Sequence, residues 1–506
     1  MTNGTSPSLV RYGRPAGRWV LLATVLGSSL AFIDLTVVNI ALPRIGASLH
    51  ADAAGLQWTV NGYTLSLTAL ILLGGSLGDR FGRRRIFIIG VGWFAAASLL
   101  CGLAPNVEAL IAARVLQGVG GALLTPGALA ILEASFHPQD RARAIGAWSG
   151  LGGIAGALGP FLGGWLVQVA TWRLVFLINV PLAAVVIGVA LRHVPETRNP
   201  GAARGLDVVG VLTGASGLAG LSYGFTAWPA LGVSSPTVLV ALGVGVGGMI
   251  GFVLTERRSS HPILPLEVFA SKAFTAANLV TFAVYAALGG VFFLVGLNLQ
   301  IVAGFAPLAA GTAFLPVTVL MLLLSARAGG LAQRIGPRIP MTLGPIVCAG
   351  ALLLLARIGS HASYVRAVLP GVLLLGLGLS LTVAPLTATA LGALDDRYAG
   401  VASGVNNAVA RAASLLAVAV LPLAAGLGTG SLTDAAALAP TYRNAMLLCA
   451  GLLLGGAATA FTAIPARSGG QLDPTRTAPT PPRSSPVRFH CAIGGPPVRT
   501  RREAST

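Results

Sequence analysis

The sequence is poor in charged residues and in cysteine. Only 9% of its 506 residues are charged, and Lys272 is its one lysine. Soluble domains carry about a quarter charged residues, so this scarcity excludes a water-soluble enzyme. The four cysteines lie far apart in the chain, and their spacing predicts neither a metal site nor a disulfide framework.

The elements of ATP-driven and catalytic sites are also missing. No Gly-rich loop precedes Lys272, so the sequence has no Walker A loop to bind ATP. All six histidines fall in loops or in the C-terminal tail, which predicts no His-based metal or catalytic site within the membrane. We therefore expect no cofactor and no chemistry on a substrate.

What the sequence does have is long apolar runs. Hydrophobic residues make up 55% of the chain, and the mean hydropathy is +0.81. Runs of about 20 apolar residues match the length of a helix that crosses a hydrocarbon core of about 30 Å. They predict an all-α polytopic membrane protein of 14 spans: 18–43, 58–77, 86–103, 108–132, 144–168, 174–191, 207–227, 237–254, 273–297, 307–327, 341–357, 368–391, 400–425 and 443–465.

The basic residues orient these spans. Cytosolic loops of membrane proteins are rich in Lys and Arg. With a cytosolic N-terminus, 26 of the 33 basic residues fall on the cytosolic side and five on the other. We therefore expect both termini in the cytosol, a location in the cytoplasmic membrane, and no nucleic-acid partner for the net charge of +18.

A short repeat relates the two halves of the chain. LGDRFGRR at 77–84 and LAQRIGPR at 331–338 share Leu, Arg, Gly and Arg at a constant offset, and both follow an even-numbered span. Chance similarity between Gly- and Arg-rich loops is the alternative. A parallel repeat predicts two six-helix bundles with a substrate site between them near the membrane midplane.

This repeat divides the chain into five segments. They are a cytosolic N-terminal tail (1–17), an N-terminal bundle (18–191), a central segment with two extra spans (192–272), a C-terminal bundle (273–465) and a basic tail (466–506). The last segment is rich in Pro, Ser, Thr and Arg and cannot bury enough apolar surface to fold. It is either an inert end or a weak ligand for anionic lipid.

Two charges are predicted deep within the membrane. Asp34 lies in FIDLTVVNIALP (32–43), and Arg114 lies two turns into the fourth span with Gln117 three residues further on. Buried ionisable residues are costly and are functional candidates by default. Desolvation favours a protonated Asp34, whereas the nearby Arg114 favours the carboxylate. Opposing influences of this kind suit proton coupling; a helix-packing role for Asp34 is the alternative.

A second set of polar residues could line a cavity. Arg411 is the other cation within a span, and Ser403, Asn407 and Ser414 share its helix face. A polar contact between helices explains this stripe equally well. The candidate cavity residues are Asn39, Asn61, Gln117, Asn407 and Arg411.

Four segments together resemble the major facilitator superfamily, and within it the fourteen-spanner drug:proton antiporters. GSLGDRFGRRR (75–85) is similar to the cytosolic gate signature, LIAARVLQGVGGA (110–122) to the fourth-span motif and GAWSGLGGIAGALGPFLGGW (146–165) to the antiporter motif. FIDLTVVNIALP resembles the first-span signature of the fourteen-spanner branch, and WRLVFLINVP (172–181) is a further similar run. The resemblance covers about residues 18–465.

The resemblance implies roles for particular residues. Asp34 and Arg114 would couple transport to protons. The gate motif would use Gly75, Asp79, Arg80, Gly82, Arg83 and Arg84, and the antiporter-motif hinge would use Gly159, Pro160, Gly163 and Gly164. Gln333 replaces the acidic residue in the repeated loop, so the gate would depend mainly on Asp79.

These observations predict a monomeric, proton-coupled exporter of hydrophobic small molecules that works by alternating access. Spans 9–14 carry no acidic residue in their interiors, which favours neutral, zwitterionic or anionic amphiphiles over multiply charged cations. Alternatives are an exporter dedicated to one endogenous metabolite, an importer, and a membrane scaffold or sensor that does not transport. A channel is disfavoured because no selectivity-filter pattern occurs.

Overall fold

Helices account for nearly all of the chain that the computed structural model describes, namely residues 10–198, 207–259, 262, 264–394, 399–427, 432 and 434–466. The α-helices are α1 Pro15–Leu49, α2 Ala53–Phe81, α3 Arg83–Leu103, α4 Val107–Ser135, α5 Pro138–Val169, α6 Leu174–Leu177, α7 Asn179–His193, α8 Val208–Leu231, α9 Pro236–Arg258, α10 Lys272–Ile301, α11 Pro307–Thr312, α12 Leu315–Ile335, α13 Arg338–Leu355, α14 Leu369–Gly392, α15 Ala399–Ala424 and α16 Ala435–Ala463. A 3₁₀-helix covers Leu266–Ala270, and a π-helix covers Tyr364–Val368.

Short polar side chains begin several of the helices. The side chain of Asp52 accepts a hydrogen bond from the backbone N–H of Gly55, and Asn106 caps α4 in the same way. Asp434 caps α16. Such caps pair backbone donors that a helix leaves open in its first turn. They explain why the helices start a few residues before the apolar runs that predicted them.

The number of spans differs from the prediction. Twelve helices are long and apolar enough to cross a membrane, or thirteen if the two parts of α2, bent by 50°, form one span. The predicted count of fourteen is therefore not supported within the described residues. The difference lies at this bend and at α5, whose apolar stretch within the described residues is Leu158–Val169.

The helices pack mainly within two groups. Helices α1 to α7 contact one another, with close pairing of α2 with α4, α3 with α4 and α1 with α5. Helices α10 to α16 form the second group, in which α13 pairs with α14 and α10 with α16. α8 and α9 pair with each other, and the apolar part of α9 is only 11% buried, against 67% for α10.

The repeated loops share a backbone feature. Gly82 between α2 and α3 has φ 112°, and Gly336 between α12 and α13 has φ 88°. Residues with a side chain rarely adopt positive φ, so glycine suits both turns. The two halves therefore reverse direction at equivalent positions of the repeat.

Part of the predicted organisation falls outside the described residues. This applies to the basic tail 466–506 except Ala466, and to residues 199–206 of the central segment. Within the described part, Val10 forms an isolated β-bridge with Phe136. Close to this bridge in the sequence, Arg11 Nη1 lies 3.8 Å from Asp140 Oδ2.

Candidate functional site

The two deep charges predicted by the sequence lie side by side. Arg114 Nη1 on α4 is 2.6 Å from Asp34 Oδ2 on α1, and the two side chains are 1% and 0% exposed. Each charge removed from water costs several kcal/mol, so a buried pair needs good geometry and further hydrogen bonds to persist. The structure supplies those hydrogen bonds.

Gln117 ties the pair together. Its Nε2 donates to Asp34 Oδ1 over 2.8 Å, and its Oε1 accepts from Arg114 Nη1 over 2.6 Å. Arg114 Nε donates to the backbone carbonyl of Thr59 on α2 over 2.9 Å. Both carboxylate oxygens of Asp34 are thus occupied. A proton that reaches Asp34 must therefore displace or weaken one of these contacts.

Two residues that sequence reasoning missed extend the network. Gln117 Nε2 also donates to Ser98 Oγ on α3 over 3.0 Å, and Asn179 Nδ2 on α7 donates to the same oxygen over 2.9 Å. Ser98 in turn donates to the backbone carbonyl of Phe176. The sequence does contain a sign of Asn179, since it is the one amide side chain in the predicted apolar span 174–191. The network therefore joins six helices of the N-terminal group, α1, α2, α3, α4, α6 and α7.

Aromatic rings complete the surroundings of Arg114. Its guanidinium carbon lies 4.5 Å from the centre of the Tyr63 ring and 5.6 Å from that of Phe176. Desolvated contacts between a cation and a ring face contribute about 2 kcal/mol. The rings therefore stabilise the arginine in addition to its contact with Asp34.

The predicted gate residues form a second polar cluster. Arg83 Nη2 lies 2.7 Å from Asp79 Oδ1, and Arg83 Nη1 donates to the backbone carbonyl of Ala130 on α4. This ion pair is part-exposed, so its Coulomb attraction is weaker than that of the buried pair. It fastens the start of α3 to the end of α2 and to α4.

Glu196 contacts the predicted gate motif and was not predicted from the sequence. Its carboxylate accepts hydrogen bonds from the backbone N–H groups of Arg84 and Arg85, both over 3.2 Å, at the N-terminus of α3. It also lies 3.7 Å from Arg84 Nε. A carboxylate at a helix N-terminus is stabilised by the helix dipole. Glu196 therefore connects the segment after α7 to the gate loop.

The remaining gate residues have simpler surroundings. Arg80 is exposed and lies over the ring of Phe81 at 5.2 Å. Gly82 provides the turn, and a side chain there would meet the carboxylate of Glu196. Gly75 faces Pro126 of α4. The predicted members of the motif therefore do not all touch one another.

The predicted hinge lets α5 approach α1 closely. A Cβ at Gly159 would collide with Thr36, and one at Gly163 would lie 2.9 Å from Val37 Cγ2. Thr36 Oγ1 donates to the backbone carbonyl of Gly156 over 3.1 Å. These residues of α1 lie next to Asp34, so the hinge motif and the buried ion pair share one helix segment.

The same motif also contacts the second group of helices. A Cβ at Gly164 would lie 2.7 Å from Leu308 Cα in α11, and one at Gly311 would collide with the carbonyl of Pro160. A second bridge joins α10 to α1, where Gln300 Nε2 donates to the carbonyl of Ile40 over 3.0 Å. The two groups of helices therefore touch at the end that holds these residues.

The candidate cavity residues have different partners. Gln117 belongs to the buried network, and Asn39 donates to the backbone of its own helix. Asn61 faces α8, Asn407 is exposed, and Arg411 is partly buried within electrostatic range of the hydroxyls of Tyr63 and Tyr285. Their role in binding a substrate stays a prediction.

Comparisons with known proteins agree with this architecture. Residues 24–418 match the family model described as Major Facilitator Superfamily. The chain is 36% identical over 402 residues to the Multidrug resistance protein Stp of Mycobacterium tuberculosis (strain CDC 1551 / Oshkosh), which covers 79% of this chain and 74% of that protein. It is 37% identical over 413 residues to the Tetracenomycin C resistance and export protein of Streptomyces glaucescens, which covers 81% and 76%.

The fold also resembles solved transporter structures. One is the inward-facing, unoccupied crystal structure of a bacterial homolog of the human lysosomal transporter Spinster, with a TM-score of 0.62 and 19% sequence identity. The match covers 89% of this chain and 97% of that chain. At this identity the likeness shows the fold alone.

Proposed function

The chain belongs to the Major Facilitator Superfamily, and we propose that it exports hydrophobic small molecules across the cytoplasmic membrane in exchange for protons. Membership makes it a multi-pass membrane transporter. Two similar proteins are named for multidrug resistance and for resistance to and export of tetracenomycin C. Export of drug-like molecules is the activity that these names favour.

The Asp34–Arg114 pair carries the proposal of proton coupling. It is fully buried, and the cost of burying it makes a purely structural role a poor explanation. A proton from outside neutralises Asp34, weakens its attraction to Arg114 and changes which cavity state is favoured. Substrate then leaves outward, and the proton later leaves to the cytosol. The membrane potential adds about 2.3 kcal/mol per charge per 100 mV to the driving force for proton entry.

Contacts between the two groups of helices favour a state that faces inward. With both termini in the cytosol, as we propose, α1, α5 and α10 all run outward, so Ile40, Gly164 and Gln300 lie in their outer halves. The two groups touch at these residues, and α2 of the first group also contacts α15 of the second. Alternating access would then require the contacts of Gly164 with α11 to separate when the cavity opens outward.

We further propose fourteen crossings, as in the fourteen-spanner antiporters. Twelve helices meet the length and hydropathy requirement. α2 and α5, of 29 and 32 residues, also exceed the length of about 20 residues that a crossing needs. An even number of crossings places both termini on the same side. We expect the transporter to act as a monomer.

The substrate is proposed to be a neutral, zwitterionic or anionic amphiphile. The membrane helices of the second group carry no acidic residue, and Arg411 is a cation near the middle of α15. An exporter dedicated to one metabolite is the second candidate, favoured by the relative that is named for tetracenomycin C. Both candidates share the same coupling site.

Transport by purified protein in proteoliposomes tests the proposal. The proteoliposomes are loaded with uncharged or anionic dyes, and a proton gradient is imposed across their membrane. Dye efflux is then compared between the wild type and Asp34→Asn. We expect gradient-driven efflux by the wild type and none by the variant. Substrate movement down its own gradient should persist in the variant, because the amide keeps the size of the carboxyl group.

Asp52→Asn is the matched control. It makes the same chemical change at an exposed helix cap, where asparagine also caps well. We expect it to transport like the wild type. Efflux by Asp34→Asn that still follows the proton gradient would refute coupling at this residue, and efflux that ignores the gradient in the wild type would indicate a facilitator.

A further inference from the structure

The extra helix α8 lies at the seam between the two groups of helices. It packs against α9, but also against α2 of the first group and α15 of the second. α9 is the more exposed of the two extra helices. A helix placed only as a peripheral addition has no need to contact both groups. α8 is therefore positioned where the groups move relative to each other during transport.

The two sides of α8 differ in chemistry. Gly217, Gly220 and Gly224 face α9 and allow the two helices to approach closely. Ser222 and Thr226, one turn apart, share another side and are 0% and 3% exposed. The polar side is buried although lipid surrounds the protein, so it must be covered by protein.

That polar side faces α2. Asn61 Nδ2 donates to Ser222 Oγ over 3.4 Å, and Asn61 is 0% exposed. One turn along α2, the rings of Trp58 and Tyr223 lie 6.0 Å apart. The interface thus combines hydrogen-bonding groups with two aromatic side chains.

Two polar atoms of this interface are buried without a hydrogen-bond partner among the described residues. They are Asn61 Oδ1 and Thr226 Oγ1. Thr213, also on α8, shows the usual arrangement, since its hydroxyl donates to the carbonyl of Val209 one turn earlier. Buried polar groups without partners are rare in proteins and costly away from water. Their pairing by another molecule removes this cost.

We propose that Asn61, Ser222 and Thr226 form a substrate-binding subsite at the α2–α8 interface for uncharged aromatic molecules that carry a hydroxyl or amide N–H. Asn61 Oδ1 accepts the hydrogen bond from the ligand, and the Thr226 hydroxyl donates to or accepts from it. Trp58 and Tyr223 contact its ring. The subsite is distinct from the Asp34 network and holds no charged group, so it selects neutral ligands.

This inference rests on the proposed transport function and adds a site to it. The extra helices would then contribute to recognition, whereas the proton site belongs to α1 and α4. A ligand held between α2 and α8, beside α15, would be placed to respond when the groups separate.

Binding to purified protein in nanodiscs tests the subsite without a proton gradient. The probes are 2-(hydroxymethyl)anthraquinone and 2-methylanthraquinone, which differ by one hydroxyl group and are both uncharged. Tryptophan quenching reports binding, with empty nanodiscs as the reference for partition into lipid. The wild type should bind the alcohol about three- to tenfold more tightly, as one hydrogen bond at a buried acceptor provides.

Thr226→Val and Asn61→Leu should each abolish this preference and leave binding of the methyl compound unchanged. Thr213→Val, the same change at a threonine whose hydroxyl is already paired, should keep it. If Asn61→Leu does not fold, Thr226→Val alone decides. The subsite is overturned if Thr226→Val keeps the preference for the alcohol, or if the wild type shows no saturable binding. It is also overturned if the site holds only water, in which case Thr226→Val would be more stable to heat and bind both probes as the wild type does.

Asp34→Asn separates the two proposals. It should retain the preference for the alcohol, because the subsite does not include Asp34. If the wild type shows no gradient-driven efflux but still prefers the alcohol, the proposed coupling is rejected and the subsite stands.

Discussion

The two groups of helices bury different kinds of polar group. In the first group, Asp34 and Arg114 form a charged pair within a network of six helices. In the second group, Asn406 Nδ2 donates to Thr281 Oγ1 over 2.8 Å and to Asn278 Oδ1 over 3.3 Å, and no charge takes part. A proton changes the charge of the first network only. Under the proposed coupling, the first group would sense the proton and the second would contribute mainly shape and neutral contacts.

The repeated loops show the same division. Both contain a glycine with positive φ, so their backbones turn alike. In the first loop, Asp79 pairs with Arg83, but the corresponding residues of the second loop are Gln333 and Pro337, which cannot form an ion pair. The backbone plan is repeated, whereas the charges are not.

The largest expected effect comes from breaking the charged network. Arg114→Gln leaves a carboxylate buried without its cation, and removal of one partner of such a pair costs about 3–5 kcal/mol. Asn406→Leu breaks the neutral network and should cost about 1 kcal/mol. Thermal unfolding in detergent measures both, and we expect a much lower unfolding temperature for Arg114→Gln.

The double variant Asp34→Asn/Arg114→Gln checks the reason for this effect. It removes both charges, so it should recover most of the lost stability and still show no gradient-driven efflux. An Arg114→Gln variant as stable as the double variant would contradict this reason for the effect.

A smaller effect is expected at the gate loops. Asp79→Leu removes the carboxylate that Arg83 contacts, and should slow efflux several-fold while substrate binding is unchanged. Gln333→Leu makes the same replacement at the equivalent position of the second loop and should change efflux less than twofold. Initial efflux rates in proteoliposomes compare the two. Equal losses would show that the loops act alike despite their different charges.

The sequence predicted the helical fold and the pairing of its two deep charges. Burial cost alone singles out Asp34 and Arg114, because a charge in an apolar span needs a partner. The predicted span count differs from the twelve helices found, because α2 bends within its apolar run and the apolar stretch of α5 in the described residues is Leu158–Val169. Apolar periodicity does not report such breaks.

Neutral and long-range partners were the residues that the sequence missed. Ser98, Asn179 and Glu196 carry no local pattern that reveals what they touch, and their contacts depend on how distant helices pack. Asn61 was assigned to the cavity as a polar residue within a span. Its contact with Ser222 depends on the position of α8, for which the sequence contains no signal.

The smallest expected effect tests Arg411, a cation in the middle of α15. Arg411 is partly buried and has no carboxylate partner among the described residues, although Tyr63 and Tyr285 lie within electrostatic range. A cation in this position attracts anionic substrates. Arg411→Gln should therefore raise the KM of an anionic dye several-fold and that of an uncharged dye less than twofold. Arg443→Gln, at an exposed arginine of α16, is the matched control and should affect neither. Equal losses for both dyes, with normal expression, would mean that Arg411 supports packing and that the second group selects substrates by neutral contacts alone.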